Sequence, residues 1–247
     1  MAYGIQDVED FQIRERKILT EKTVHQIMFS NYAGAPIPIP AINLRRLVGE
    51  SNYKLWDLEL CRDFLRDIYG EDLLEIFDSI KPFAYKADLA RYCIINHFGG
   101  WYVDLMLIVK SLPFEGNCKL IAFRDRNQHC TSWNVCNGLF YSSKNSPILS
   151  SAISRVEKNV KTNFYGKNPL FPTGPSLFGR AIAQASDSLV VLFGDAKVPT
   201  IGRSKFLLEG TLVAKGKTRG NPKHMQVMGG NSYRVLWDKR DIYGTTQ

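Results

Sequence analysis

Asp88, Arg91 and Asp104, all within residues 86–113 (KADLARYCIINHFGGWYVDLMLIVKSLP), are spaced in a way that can do chemistry. Asp88 and Arg91 stand three apart on a predicted helix, so they share one face and can act together. Asp104 is the only charge in the apolar run 101–109. A carboxylate inside such a run is costly unless something binds it. The three describe a binding site built across a helix–turn–strand unit, with a cation or sugar hydroxyls as ligand. The plainer alternative is an ordinary αβ unit with a surface Asp88–Arg91 pair and Asp104 at a strand end, because exposed i,i+3 pairs are common.

The elements that must hold these groups can be read from periodicity. Leu89, Tyr92 or Cys93, and Ile95 or Asn96 recur near the helical period, and Gly99-Gly100 ends the run. Beyond it, Trp101, Val103, Leu105, Leu107 and Val109 alternate with Tyr102, Asp104, Met106 and Ile108. Both faces are apolar apart from Asp104, which predicts one central strand over 101–109 in a covered sheet. Around it the pattern predicts strands over 23–29, 54–58, 119–123 and 137–141. Helices are expected over 43–49, 61–69, 72–79, 85–98, 147–159 and 175–184. The Pro-rich stretch 33–42 reads as a loop after the first strand.

The stretch AYKADLARYCIINHFGGWYVDLM resembles the core signature of glycosyltransferase family 32, sugar transferases with a DXD motif that are related to the glucosylating domains of large clostridial toxins. That signature reads roughly A-[SA]-D-x-x-R-Y-x-x-x-x-x-x-G-G-x-Y-x-D-x-D, and Ala87, Asp88, Arg91, Tyr92, Gly99, Gly100, Tyr102 and Asp104 match it. The resemblance covers roughly 23–233, with its strong motif limited to 87–104. It implies an α/β, GT-A-like single domain with a mostly parallel central sheet flanked by helices, and ligand binding at the carboxyl ends of strands. It also implies retaining transfer of a hexose from UDP-galactose or UDP-glucose to a hydroxyl of a glycan or lipid-linked glycan. Bacterial surface polysaccharide or lipopolysaccharide synthesis is the expected setting.

Carried over residue by residue, the resemblance makes Asp88, Arg91 and Asp104 the catalytic set. On the donor side it implies His25, Ile27, Met28 and Phe29 of the TVHQIMF segment, then Tyr92, Gly99, Gly100 and Tyr102, with Asn231 and Ser232 facing the diphosphate. Met28 or Phe29 would pack on the nucleobase. NVCNGLF and the Thr173-Gly174-Pro175 turn place Asn134, Asn137, Thr173 and Gly174 on the acceptor side. One departure is central: Met106 stands where the motif has its second aspartate. A thioether is a poor ligand for Mg²⁺ or Mn²⁺, so the divalent cation is in doubt, with Asp104 and His224 as its remaining candidate ligands. A non-catalytic nucleotide-sugar or glycan-binding relative is the alternative reading.

Composition sets the outer bounds. The chain has 247 residues, of which 45% are hydrophobic, enough for one sizeable core over 1–247. Residues 1–22 read as an N-terminal extension without an apolar signal segment, and no run reaches the length that spans a bilayer. A cytoplasmic protein, in peripheral contact with the inner face of an anionic membrane, is expected. Cys61, Cys93, Cys118, Cys130 and Cys136 form an odd set without C-x-x-C spacing, which reads as reduced thiols rather than disulfides or zinc. The net charge is +8, and Lys205, Lys215, Lys217, Arg219 and Lys223 fall in a Gly-rich stretch read as a basic closing loop over 205–235. Neither a dinucleotide fingerprint nor a phosphate loop is present, the nucleophile-elbow spacing is missed, and no nucleic-acid-binding motif is evident.

Overall fold

The structure, a computed structural model, describes residues 23–30, 34–113, 118–125, 133–185, 191–197, 203–218 and 231–244. Within them the chain runs β1 (Val24–Ile27), α1 (Ile39–Val48), β2 (Tyr53–Trp56), α2 (Leu58–Tyr69), α3 (Glu71–Ser79), α4 (Phe83–Phe98), β3 (Gly100–Val103) and β4 (Ile108–Val109). It continues through β5 (Leu120–Asp125), β6 (Val135–Ser142), α5 (Pro147–Lys161), α6 (Pro175–Ala183), β7 (Val191–Lys197), β8 (Arg203–Leu208), β9 (Thr211–Thr218) and α7 (Tyr233–Asp238). The expected extension 1–22 and His224 lie outside the described residues.

Local chemistry explains the boundaries. Asp57 caps α2 by accepting the Leu60 N–H at 2.8 Å, which satisfies one of the helix's unpaired donors. The Pro-rich stretch does not stay a loop to residue 42. Pro40 falls in the first turn of α1, where a missing N–H costs nothing, so the helix starts four residues before the predicted one. α4 begins after Pro82 and stops at Gly99, which has φ +70. Gly100 follows at φ +100, and a Cβ there would stand 2.2 Å from the Thr23 carbonyl oxygen. The Gly99-Gly100 pair is therefore a backbone requirement of the helix-to-strand turn.

The strands form one sheet in the order β2-β1-β3-β6-β5-β7-β8-β9-β4. The α/β class is borne out, but the sheet is mixed rather than mostly parallel. β1 pairs in parallel with β2 and β3, and β5 with β7. The other five pairings are antiparallel. Two apolar clusters cover its faces. Tyr102, Phe140 and Ile27 belong to the cluster under α2–α6, whereas Trp101, Val103, Leu139 and Val24 belong to the one under α1. This is the expected side-chain alternation, and burying each large apolar group contributes roughly 1.5–3 kcal/mol.

Two further expectations are corrected. The predicted strand 101–109 ends at Val103. Asp104 donates its N–H to Gly138 O at 2.8 Å, and Leu107 N–H closes a turn onto Asp104 O at 3.0 Å. The chain then crosses to the far edge of the sheet, where β4 pairs with β9. Apolar residues at both parities could not show this break, because Leu105, Met106 and Leu107 read equally well as strand. The closing loop over 205–235 is in its first part a hairpin, β8 turning into β9 through Glu209 (φ +49) and Gly210 (φ +78). Lys205 and Lys215 face each other across its ladder. Residues 219–230 lie outside the described residues, and α7 occupies the end of the expected loop.

Candidate active site

α4 is the element that makes a site out of the sequence motif. Ten of its residues, including Asp88 and Arg91, are buried, because the helix is packed on the sheet, on α5 and on α3 rather than laid on the surface. The surface-pair alternative for Asp88 and Arg91 is thereby overturned. A buried carboxylate and guanidinium must be satisfied or they destabilise the fold. Here they are satisfied by segments far away in sequence.

Asp88 Oδ1 accepts from Asn137 Nδ2 at 2.8 Å, and its Oδ2 accepts from the Thr173 hydroxyl at 2.7 Å. Arg91 donates through Nε to Ala87 O at 3.0 Å and through Nη1 to Asn137 O at 2.9 Å. Its Nη2 stands 3.4 Å from Asp88 Oδ1, and its Nη1 3.4 Å from Asp104 Oδ1. One guanidinium thus joins both carboxylates while lying 4.4 Å above the Tyr102 ring. The Tyr102 hydroxyl donates to Asp104 Oδ1 at 3.0 Å. Burial pushes the Asp88 carboxyl above its ordinary range, with Arg91, Thr173 and Asn137 pulling the other way. Burial alone would lower the Arg91 guanidinium, but Tyr102, Asp104 and Asp88 outweigh it and it is raised.

These groups form one wall of a cavity of about 500 Å³. Asp88 presents little of itself, with a side chain 10% exposed, whereas Asp104 is 44% exposed. Gly138 makes room for Asp104: a Cβ there would lie 2.4 Å from Asp104 Oδ2. Among the described lining residues Arg91 is the single cation. Cys136 also lines the cavity, but burial pushes its thiol up to about 12, so it is not a ready nucleophile.

Of the residues expected from sequence, Ile27, Phe29, Asp88, Arg91, Tyr102, Asp104, Asn137, Gly174, Asn231 and Ser232 come together on this wall. The others do not. His25 is buried against Trp56 and Phe98, accepts from Trp56 Nε1 at 3.1 Å, and is pushed down to about 4 by burial and by Lys54. Met28 gives its N–H to Trp56 O at 2.8 Å and does not line the cavity. Gly99 and Gly100 shape the turn instead. Tyr92 and Thr173 sit behind the wall, where Tyr92 donates to Thr173 O at 2.9 Å and accepts from Asn137 Nδ2 at 2.8 Å. Asn134 accepts from the Ser176 hydroxyl at 2.7 Å, away from the cavity. Asn231 accepts the Phe83 N–H at 2.9 Å and donates to Lys81 O at 3.2 Å, so it caps the start of α4.

Sequence reasoning missed Tyr85, Gly138 and Tyr233. Tyr85 donates to Pro169 O at 2.6 Å, and its ring lies 5.7 Å from that of Tyr233. Tyr85 opened the helix expected over 85–98 and Tyr233 fell in the expected closing loop over 205–235, and nothing local linked the two. Gly138 did carry a signal, as the glycine inside the NVCNGLF segment.

The lining offers a divalent cation few hard ligands among the described residues. Those residues contain no group of three His, Cys, Asp or Glu placed to hold an ion. Asp104, the more exposed carboxylate, already faces Arg91, and Met106 beside it on the cavity wall offers sulfur where a hard cation wants oxygen.

Residues 44–122 match the family model described as "Glycosyltransferase sugar-binding region containing DXD motif". The resemblance read from the 87–104 signature is thus borne out over this region, which runs from within α1 through β2, α2–α4, β3, the Asp104 turn and β4 into β5. An uncharacterized glycosyltransferase, L373, of Acanthamoeba polyphaga mimivirus is 32% identical over 168 residues, 65% of this chain and 64% of its own length. Inositol phosphoceramide mannosyltransferase 2 of Schizosaccharomyces pombe is 28% identical over 115 residues, 44% of this chain and 30% of its own. The chain therefore spans less than two thirds of either relative. Among solved structures, PaToxG glycosyltransferase aligns with TM-score 0.49 and 17% identity, covering 66% of this chain and 69% of that one.

Proposed function

We propose that the protein is a retaining glycosyltransferase that moves a hexose from a nucleotide sugar to a hydroxyl of a glycan or glycolipid. The observation that carries this reading is the Asp88–Arg91–Asp104 knot on the cavity wall, inside the region that matches the sugar-binding family model. Arg91 has its donors committed to protein acceptors, so its work is to hold the two carboxylates in place. Asp104, the more exposed of the two, accepts from ligand hydroxyls, and Asp88 supplies a shorter-range contact deeper in the wall. A charge-assisted hydrogen bond of this kind contributes about 1.5–3 kcal/mol. Because hydrogen bonds and ion pairs already fix the knot's groups in place, little reorganisation need accompany the bond-breaking step, and that is where preorganised electrostatics lower a barrier.

The apolar part of the wall, with Ile27, Phe29 and Phe83, suits the donor's base. UDP-galactose and UDP-glucose are the proposed donors. A mannosyl donor is the second reading, favoured by the names of the fungal relatives, among them a mannosyl phosphorylinositol ceramide synthase of Saccharomyces cerevisiae, 38% identical over 53 residues, 22% of this chain and 14% of its own. The same names support a glycolipid acceptor, and a bacterial surface glycan is the other acceptor to be tried. Donor binding without strict need for a divalent cation follows from Met106 and from Arg91 beside Asp104.

A thermal-shift panel of UDP, GDP, UDP-glucose, UDP-galactose and GDP-mannose, with and without Mn²⁺, tests the reading. Stabilisation by one nucleotide family is expected. No shift with any of them would sink it. Slow hydrolysis of the stabilising nucleotide sugar separates a catalyst from a non-catalytic binder.

A further inference from the structure

We propose that the outer face of α1 docks on an anionic lipid surface and brings the cavity beside it. The inner face of α1 is well partnered, with Ala41, Leu44 and Val48 buried against the sheet. Its outer face is unusual. Ile39 is 72% exposed, Leu47 47% and, just before the helix, Ile37 39%. Arg46 stands seven residues after Ile39 and so lies almost directly in line with it, with Ile42 and Asn43 on either side, while Leu47 sits at the edge of the same exposed half of the helix. Single exposed apolar side chains are ordinary, but Ile37, Ile39 and Leu47 together leave apolar groups along the exposed half of α1, and Arg46 among them can reach lipid headgroups while they enter the interface.

Two further observations choose the occupant. The last turn of α1 carries Arg45 and Arg46 on a chain of net charge +8, which favours an anionic surface. Arg45 is held by Glu50 at 2.6 Å, leaving Arg46 as the arginine aligned with the apolar side chains. Pro38, the residue before Ile39, lines the cavity, so the docking face and the proposed transfer site share a boundary. No described helix is long and apolar enough to cross a membrane, and docking of this kind needs none. This surface does not depend on the glycosyl-transfer reading, and its test uses neither donor nor acceptor.

The full chain is sedimented with vesicles of phosphatidylcholine alone and of phosphatidylcholine with phosphatidylserine, over a range of salt. Binding to the anionic vesicles that weakens with salt is expected. The double variant Ile39→Ser, Leu47→Ser should lower the partition coefficient by about tenfold, through lost apolar burial. Arg46→Ala should lower it about fivefold on anionic vesicles and leave the neutral ones unchanged. All three positions are exposed, and circular dichroism checks that the variants keep the fold. The proposal is overturned if the unmodified chain ignores anionic vesicles, if the double variant binds as well as the parent, or if the face proves to join two copies, seen as a dimer that Ile39→Ser dissociates.

Discussion

The two acidic positions on the cavity wall are built in opposite ways. Asp88 is buried on a central helix, and both of its oxygens are taken by Asn137, Thr173 and Arg91. Asp104 sits in a turn where the chain leaves the sheet, with its side chain 44% exposed, an ion pair to Arg91 and a hydrogen bond from Tyr102. The first is over-determined and cannot adapt without breaking the fold. The second has free approach from the cavity and can change partners. The difference separates groups that define the site's shape from the group best placed to meet a ligand, although both belong to one short motif.

Removing Arg91 is the hardest blow to the rigid side. Arg91→Ala would leave Asp88 buried without its cation and Asn137 O without a donor. A loss of about 3–5 kcal/mol in denaturant unfolding is expected, together with loss of transfer. Arg91→Lys should restore part of the stability but little of the transfer, because an ammonium cannot reproduce the fork that ties both carboxylates. If Arg91→Ala unfolds like the parent, the rigid wall has been misjudged.

A control lies outside both positions. His25 is pushed down to about 4 by burial and the Lys54 charge. Between pH 6.5 and 4 the unfolded chain binds a proton there that the folded chain does not, so stability falls as pH drops through that window. The contribution is about 3 kcal/mol at most. Thermal unfolding at pH 7 and pH 5 should show a smaller gap in His25→Gln than in the parent, with donor binding at pH 7 unaffected. Altered donor binding would return His25 to the site.

The adaptable side is sharpened by Met106→Asp. It adds a carboxylate to the same cavity wall as Asp104 and should give Mn²⁺ binding at least about tenfold tighter than the parent by calorimetry. The parent should bind its nucleotide in excess EDTA. Complete loss of nucleotide binding in EDTA would show that a metal is held in spite of Met106. The smallest effect belongs to Asn231→Ala, which uncaps α4 at Phe83 and should cost about 1 kcal/mol of stability. A much larger loss of donor affinity than of stability would mean that Asn231 meets the ligand as well as the helix.

The sequence by itself determined the helix–turn–strand unit and the α/β class, and it picked out Asp88, Arg91, Asp104 and Asn137, which the fold brings to one cavity wall. Those features rest on local periodicity, on glycines that only one backbone conformation explains, and on a motif of fixed spacing. Tertiary structure alone decided where the strand ends after Val103, because a run apolar at both parities carries no register. It decided that Lys205 and Lys215 belong to a hairpin ladder, since basic residues on alternate positions read equally as loop or strand. It moved Tyr92, Thr173 and His25 behind the wall or away from it, and it brought Tyr85 to Tyr233 and Gly138 under Asp104. Each of those placements depends on which distant segment packs where, and the free energy that selects it comes from burying surfaces far apart in the chain rather than from any local pattern.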